Sequence, residues 1–244
     1  MNTIVNQEQW LAQRLDLLAR EKELMRQQDQ LARARRELPW VRVDKQYVFD
    51  TPQGKRSLAD LFEGRSQLIV QHFMFAPGEE RGCAHCSYMA DHTDGALPHL
   101  AARDVNLVVA SRAPLATLER MRRQMGWQFK WVSSGESDFN YDFHVSFAPE
   151  DVAKGEVYYN YAGQAFPFED APGVSVFYKD DKGTVYHTYS TFGRGVEVMM
   201  QTYRLLDITP LGRHEEDLPY TMAWVKHHDS YQQAPAAGSC CSHG

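Results

Sequence analysis

Long apolar runs are absent from this 244-residue sequence, and its first nine residues (MNTIVNQEQ) lead into a charge-studded stretch rather than an apolar one. The expectation is therefore a chain with no secretory signal and no membrane span or membrane partner, working in the cytoplasm. Basic residues are in the minority: 26 Lys and Arg against 32 Asp and Glu leave a net charge of -6. That balance argues against a nucleic-acid partner, because too few cations are available to neutralise phosphates. Cysteine is scarce, with four in the whole chain, too few for a secreted disulfide framework. In a reducing compartment a close pair of them points to catalysis or metal binding. Neither Gly nor Pro interrupts residues 7–38, and no internal repeat is visible. What the chain does have is a globular composition, 43% hydrophobic and 12% aromatic. Its length suits one core with attached extensions, a typical domain being roughly 100–150 residues.

Leu11, Leu15, Leu18, Leu24, Met25, Leu31 and Leu38 recur at helical spacings through 7–38, with Arg and Glu between them, and Pro39 stops the pattern. One long helix is predicted. It serves either as an arm packed on its own domain or as a homodimerisation arm. Residues 45–50 and 55–57 read as two short strands around Thr51-Pro52-Gln53-Gly54. Residues 66–73 (SQLIVQHF) and 105–110 (VNLVVA) are short apolar runs of β-formers, the pattern of buried strands. Helices are predicted from about Cys83, over 94–103 and over 114–125, and a further strand over 129–132. Strands alternating with helices imply a parallel sheet covered on both faces. Residues 133–172 are aromatic and poorly periodic and read as an insertion. A hairpin (174–178 with 184–189) and a closing helix (196–207) follow. The chain then loses periodicity and ends in a small-residue tail, predicted to be disordered, that carries Cys240, Cys241 and His243. The tail could relay electrons or capture soft metal ions.

Cys83-Ala84-His85-Cys86 follows a buried strand and opens a predicted helix. A thiolate is the reactive form of cysteine, and a helix start favours it through unpaired backbone donors. Two intervening residues bring the second sulfur one turn on, close enough for a disulfide or a shared metal. Cys83 is the predicted attacking thiol and Cys86 the resolving one, with His85 supplying a positive charge beside them. The same pair with His72 and His99, or with His187, offers the mixed sulfur and nitrogen donors that copper or zinc accepts. Asp138, Asn140 and Asp142 alternate like a calcium loop, but Phe143 stands where Gly is needed and Pro149 where the bidentate Glu should fall, so calcium is rejected.

The stretches Leu38-Pro39-Trp40, His72-Phe73-Met74-Phe75, Gly82-Cys83-Ala84-His85-Cys86-Ser87, His99-Leu100 with Arg103-Asp104, Ser111-Arg112-Ala113-Pro114-Leu115, Asp138-Phe139-Asn140-Tyr141-Asp142-Phe143 and His187-Thr188-Tyr189-Ser190 resemble a thioredoxin-like family catalogued as domain of unknown function 899. The resemblance covers about residues 10–212 and implies a thioredoxin-like fold, with no assigned reaction. Two departures from true thioredoxins stand out. Gly82 occupies the place of the usual Trp, and Ser175 falls where the disulfide-facing cis-proline is expected, which would open space for a metal. The reading is an α/β fold with a thioredoxin-like central sheet flanked by helices, a long N-terminal helix and an insertion before the final hairpin. Its parts are an N-terminal helical arm (1–39), a thioredoxin-like domain (40–212) and a C-terminal extension and tail (213–244). The leading expectation is thiol-disulfide exchange with a protein or small-molecule thiol, which needs no cofactor. The alternatives are copper or zinc binding and delivery, and peroxide reduction with Arg81 and Arg103 as the supporting cations.

Overall fold

The structure is a computed structural model that describes residues 2–231. Cys240, Cys241 and His243 lie outside the described residues. The chain divides into two units, Met1–Trp40 and Val41–Gly244. The first is helix α1 (Gln7–Arg36), as the uninterrupted sequence predicts. A reciprocal capping box starts it: Asn6 Oδ1 accepts from the Gln9 N–H at 2.9 Å, and Gln9 Oε1 accepts from the Asn6 N–H at 3.3 Å. Arg33, Arg35 and Arg36 complement the helix dipole at its end.

In the second unit the chain runs through β1 (Val41–Arg42), β2 (Val48–Thr51), β3 (Gly54–Ser57), β4 (Gln67–His72), α2 (Ala84–Ala90), α3 (Leu97–Ala101), β5 (Val105–Ser111), α4 (Leu115–Gln124) and β6 (Lys130–Ser133). The insertion follows as α5 (Phe139–Asp142), α6 (Pro149–Lys154), β7 (Val157–Tyr159) and β8 (Ala162–Gln164), and then β9 (Gly173–Lys179), β10 (Val185–Phe192) and α7 (Gln201–Leu206). Eight strands form one sheet in the order β1-β10-β9-β4-β5-β6-β2-β3. Only β4, β5 and β6 are parallel to one another; every other pairing is antiparallel. The expected parallel sheet is thus a mixed one. Parallel neighbours need a helical crossover, which the β4–β5 and β5–β6 connections supply, whereas β2–β3 and β9–β10 are joined by short turns. The block β5-β4-β9-β10, with the dithiol after β4, is the thioredoxin-like core.

Side chains alternate across β4 and set the two faces of the sheet. Leu68 and Val70 join Phe49, Val108, Val132 and Phe177 on one side. Leu107 and Val109 of β5 pack on the other with Cys86, Ala90, Leu118 and Trp131. The insertion carries its own small core around Val145, Phe147, Tyr159 and Phe192. Its β7–β8 hairpin turns through Asn160 and Tyr161, both at positive φ (51° and 65°), the backbone a tight two-residue hairpin requires. The predicted closing helix is broken. Residues Gly193–Met199 form a 3-10 helix and Met200 (φ −99°, ψ 79°) separates it from α7. Gly193, Gly195, Val196 and Val198 are weak helix formers, which accounts for the break.

Candidate active site

The strand that carries the core leads directly to the sulfurs. Beyond β4, the Cys83 N–H donates to the Met74 carbonyl at 3.0 Å, and the Met74 N–H donates to Cys86 Sγ at 3.5 Å, so one residue fixes both cysteines. Gly82 has a steric reason: a Cβ there would lie 2.5 Å from the Phe73 ring and 3.1 Å from Phe75. No side chain fits, and the Trp of thioredoxins is therefore excluded at this position. Cys83 caps α2, its carbonyl accepting from the Ser87 N–H at 3.0 Å. Both cysteines are free thiols, Cys83 half-buried and Cys86 buried.

The two sulfurs titrate apart. The Cys83 thiol is pulled down to about 7, chiefly because the Cys86 thiol donates a hydrogen bond to it, with the backbone N–H groups of Cys86 and His85 assisting against burial and the nearby Glu79. The same hydrogen bond, together with burial, pushes the Cys86 thiol up. This is the division of labour a nucleophile and a resolving thiol require. His85 contributes through its backbone; its imidazole Nε2 lies 3.2 Å from the Met222 carbonyl and its ring meets Tyr220 edge-on.

Above the sulfurs opens a cleft of about 920 Å³. The dithiol loop and α2 form its floor, the insertion supplies Tyr159, Phe166 and Phe168, and the C-terminal segment supplies Tyr220, Met222 and Val225. Pro172 also lines it. That corrects the expectation for Ser175, which lies two residues inside β9, paired with Val70. Ser175 Oγ is 2.8 Å from His72 Nε2 and 2.9 Å from Ser190 Oγ. Pro172, immediately before the strand, shares the cleft with the dithiol, while Ser175 sits in the sheet and neither opens nor closes the space over the sulfurs.

The family model for a bacterial protein family of unknown function, DUF899, matches residues 1–231. The chain belongs to this family. No curated protein matches the sequence. Among solved structures, peroxiredoxin Q of Xanthomonas campestris is 10% identical, with a TM-score of 0.44 over 64% of this chain and 85% of that one. The peroxidoxin BcpB of Mycobacterium tuberculosis is 12% identical, with a TM-score of 0.43 over 69% of this chain and 96% of that one.

The DUF899 match includes the C-terminal segment that closes the cleft. Besides the His85 contacts, Arg81 pairs with Asp229 at 2.8 Å, His227 Nε2 sits 2.8 Å from the Gly82 carbonyl, and His228 Nδ1 sits 2.6 Å from Asp91, holding that segment to the dithiol region. Of the predicted metal ligands, His72 points to the opposite face of the sheet, against Phe139 and Phe143. His99 is exposed on α3. His187 contacts Ser190 Oγ at 2.7 Å. Among the described residues no group of three or more His, Cys, Asp or Glu is placed to hold a metal ion, so His72 and His99 do not complete a site with Cys83 and Cys86. Arg103 is exposed and ends the α3 turn, and Asp104 at φ 59° instead binds Ser66. No helix among the described residues is long and apolar enough to cross a membrane.

Proposed function

We propose that the protein is a thiol-disulfide oxidoreductase in which Cys83 attacks and Cys86 resolves. The observation that carries the reading is the pair itself: a half-exposed sulfur with a lowered pKa, held by the thiol of a buried partner at the floor of a cleft. The Cys83 thiolate attacks one sulfur of a substrate disulfide; the S–S bond breaks, and the released thiolate takes a proton. The Cys86 sulfur, giving up its proton, then attacks Cys83 Sγ of the mixed disulfide. A Cys83–Cys86 bond forms and the second substrate thiol leaves. Two electrons pass from protein to substrate, and an external dithiol returns them. A metal-delivery reading lacks a third donor among the described residues.

The test uses reduced protein in which Cys240 and Cys241 are serine, mixed with 4,4′-dithiodipyridine. The parent releases two equivalents of thiopyridone and ends as the Cys83–Cys86 disulfide. Cys86→Ser releases one equivalent and keeps a mixed disulfide on Cys83. A Cys86→Ser protein that is labelled elsewhere, or a parent that releases one equivalent only, rejects the mechanism.

A further inference from the structure

The walls of the cleft define what it accepts. We infer that the substrate is a polypeptide disulfide whose cysteine is flanked by large apolar side chains, and not a charged small disulfide such as glutathione disulfide; this rests on the thiol-disulfide reading above. Met74, Met89, Met200 and Met222 line the cleft beside aromatic rings. Methionine is flexible and polarizable, so such a surface fits apolar groups of several shapes. The rim aromatics Phe168 and Tyr220 are 58% and 59% exposed, large apolar surfaces left uncovered where a ligand would cover them.

The acidic and basic side chains that line the cleft already have partners. Glu79 Oε2 accepts from the Ala76 N–H at 2.8 Å, Arg81 is paired with Asp229, and His85 Nε2 lies against the Met222 carbonyl. Among the described lining residues the one guanidinium, Arg81, already has its carboxylate, and seating a substrate carboxylate unpaired against this lining is costly. A cleft of about 920 Å³ is at the large end for a small ligand and holds several side chains of an extended segment. An apolar residue on either side of the reacting cysteine would occupy the methionine floor and the aromatic rim while its sulfur meets Cys83.

The experiment follows single-turnover oxidation of the reduced Cys240→Ser/Cys241→Ser protein by two symmetrical peptide disulfides, of Ac-Ala-Phe-Cys-Leu-Ala-NH2 and Ac-Ala-Glu-Cys-Glu-Ala-NH2. Each rate is divided by that peptide's rate with dithiothreitol, which removes differences in intrinsic reactivity. The apolar peptide is expected to react about tenfold faster or more, the scale of burying one large side chain. In Phe168→Ser/Tyr220→Ser, with rates also divided by that variant's own iodoacetamide rate, the preference is expected to fall below about threefold. Equal normalised rates, or a preference that survives the double variant, overturn the substrate class while disulfide chemistry stands. If neither peptide nor 4,4′-dithiodipyridine oxidises the pair, the underlying reading falls and the inference with it.

Discussion

Replacing Arg112 by Met lowers the stability of the folded chain by about 3–5 kcal/mol at pH 7, the scale on which an uncompensated buried charge destabilises a protein. Arg112 Nε meets Asp170 Oδ1 at 2.7 Å, with the two side chains only 12% and 7% exposed. Ser146 donates to the same carboxylate oxygen at 2.6 Å, and Arg112 also donates to the Tyr141 hydroxyl at 3.2 Å. Without the guanidinium, Asp170 keeps one hydroxyl donor for a full charge in a dry place. Because Asp170 stands two residues before Pro172, the same pair fixes the insertion's return to the dithiol. Urea unfolding reads the effect, and Arg112→Met/Asp170→Asn should recover at least half of the loss because no buried charge remains. A loss under about 1 kcal/mol in the single variant would mean that the pair contributes no more than an exposed one does.

Acid should destabilise the protein through His72 well before the carboxylates titrate. His72 is completely buried, and burial, with His187 nearby, holds its pKa down to about 3. Its Nδ1 is buried without a partner while Nε2 meets Ser175. The neutral ring with its proton on Nε2, donating to Ser175, leaves only a lone pair unsatisfied. In the unfolded chain the same ring titrates near 6.5. Above that pH both states are neutral and nothing is lost. As pH falls below it the unfolded state gains the proton first, and stability declines by about 1.4 kcal/mol per pH unit, or about 2 kcal/mol between pH 7 and pH 5. His92 and His187, both lowered by burial, add slope of the same sign. His72→Gln preserves a donor for Ser175 and removes the titration, so its unfolding free energy should fall by about 2 kcal/mol less over that range. Parallel pH dependences for the two proteins would reject a neutral buried His72.

What could be read from the sequence was what local pattern encodes. The α1 helix, the apolar strands β4 and β5 and the dithiol between strand and helix all follow from periodicity and from Pro and Gly punctuation. The proline of the cleft lies three residues before Ser175, the position that sequence pattern points to. A run such as Val174-Ser175-Val176-Phe177 marks a strand without marking where it starts, and the register with β4 decides that Pro172, not Ser175, meets the cleft. The metal site failed for a reason the sequence does hold: in β4, His72 alternates with Gln71 and shares its face with Leu68 and Val70, away from Cys86. The far wall was not legible at all. Residues 213–231 have no apolar period, and polar pairs, some local and some distant in sequence, seat them. Besides the Arg81–Asp229 ion pair, Glu215 Oε1 accepts from the Tyr203 hydroxyl, the Trp224 indole and the Met222 N–H.

In the proposed mechanism Cys83 is the thiolate and Cys86 its protonated, buried donor. The most direct test is the pH dependence of iodoacetamide alkylation of the reduced Cys240→Ser/Cys241→Ser protein, with the labelled cysteine located by peptide mapping. Cys83 is expected to be labelled first, with a half-maximal rate near pH 7 where its thiol titrates, and Cys86 to stay unlabelled until well above that pH. Labelling of Cys86 before Cys83, or a Cys83 midpoint at or above the ordinary thiol value of about 8.5, would contradict that mechanism.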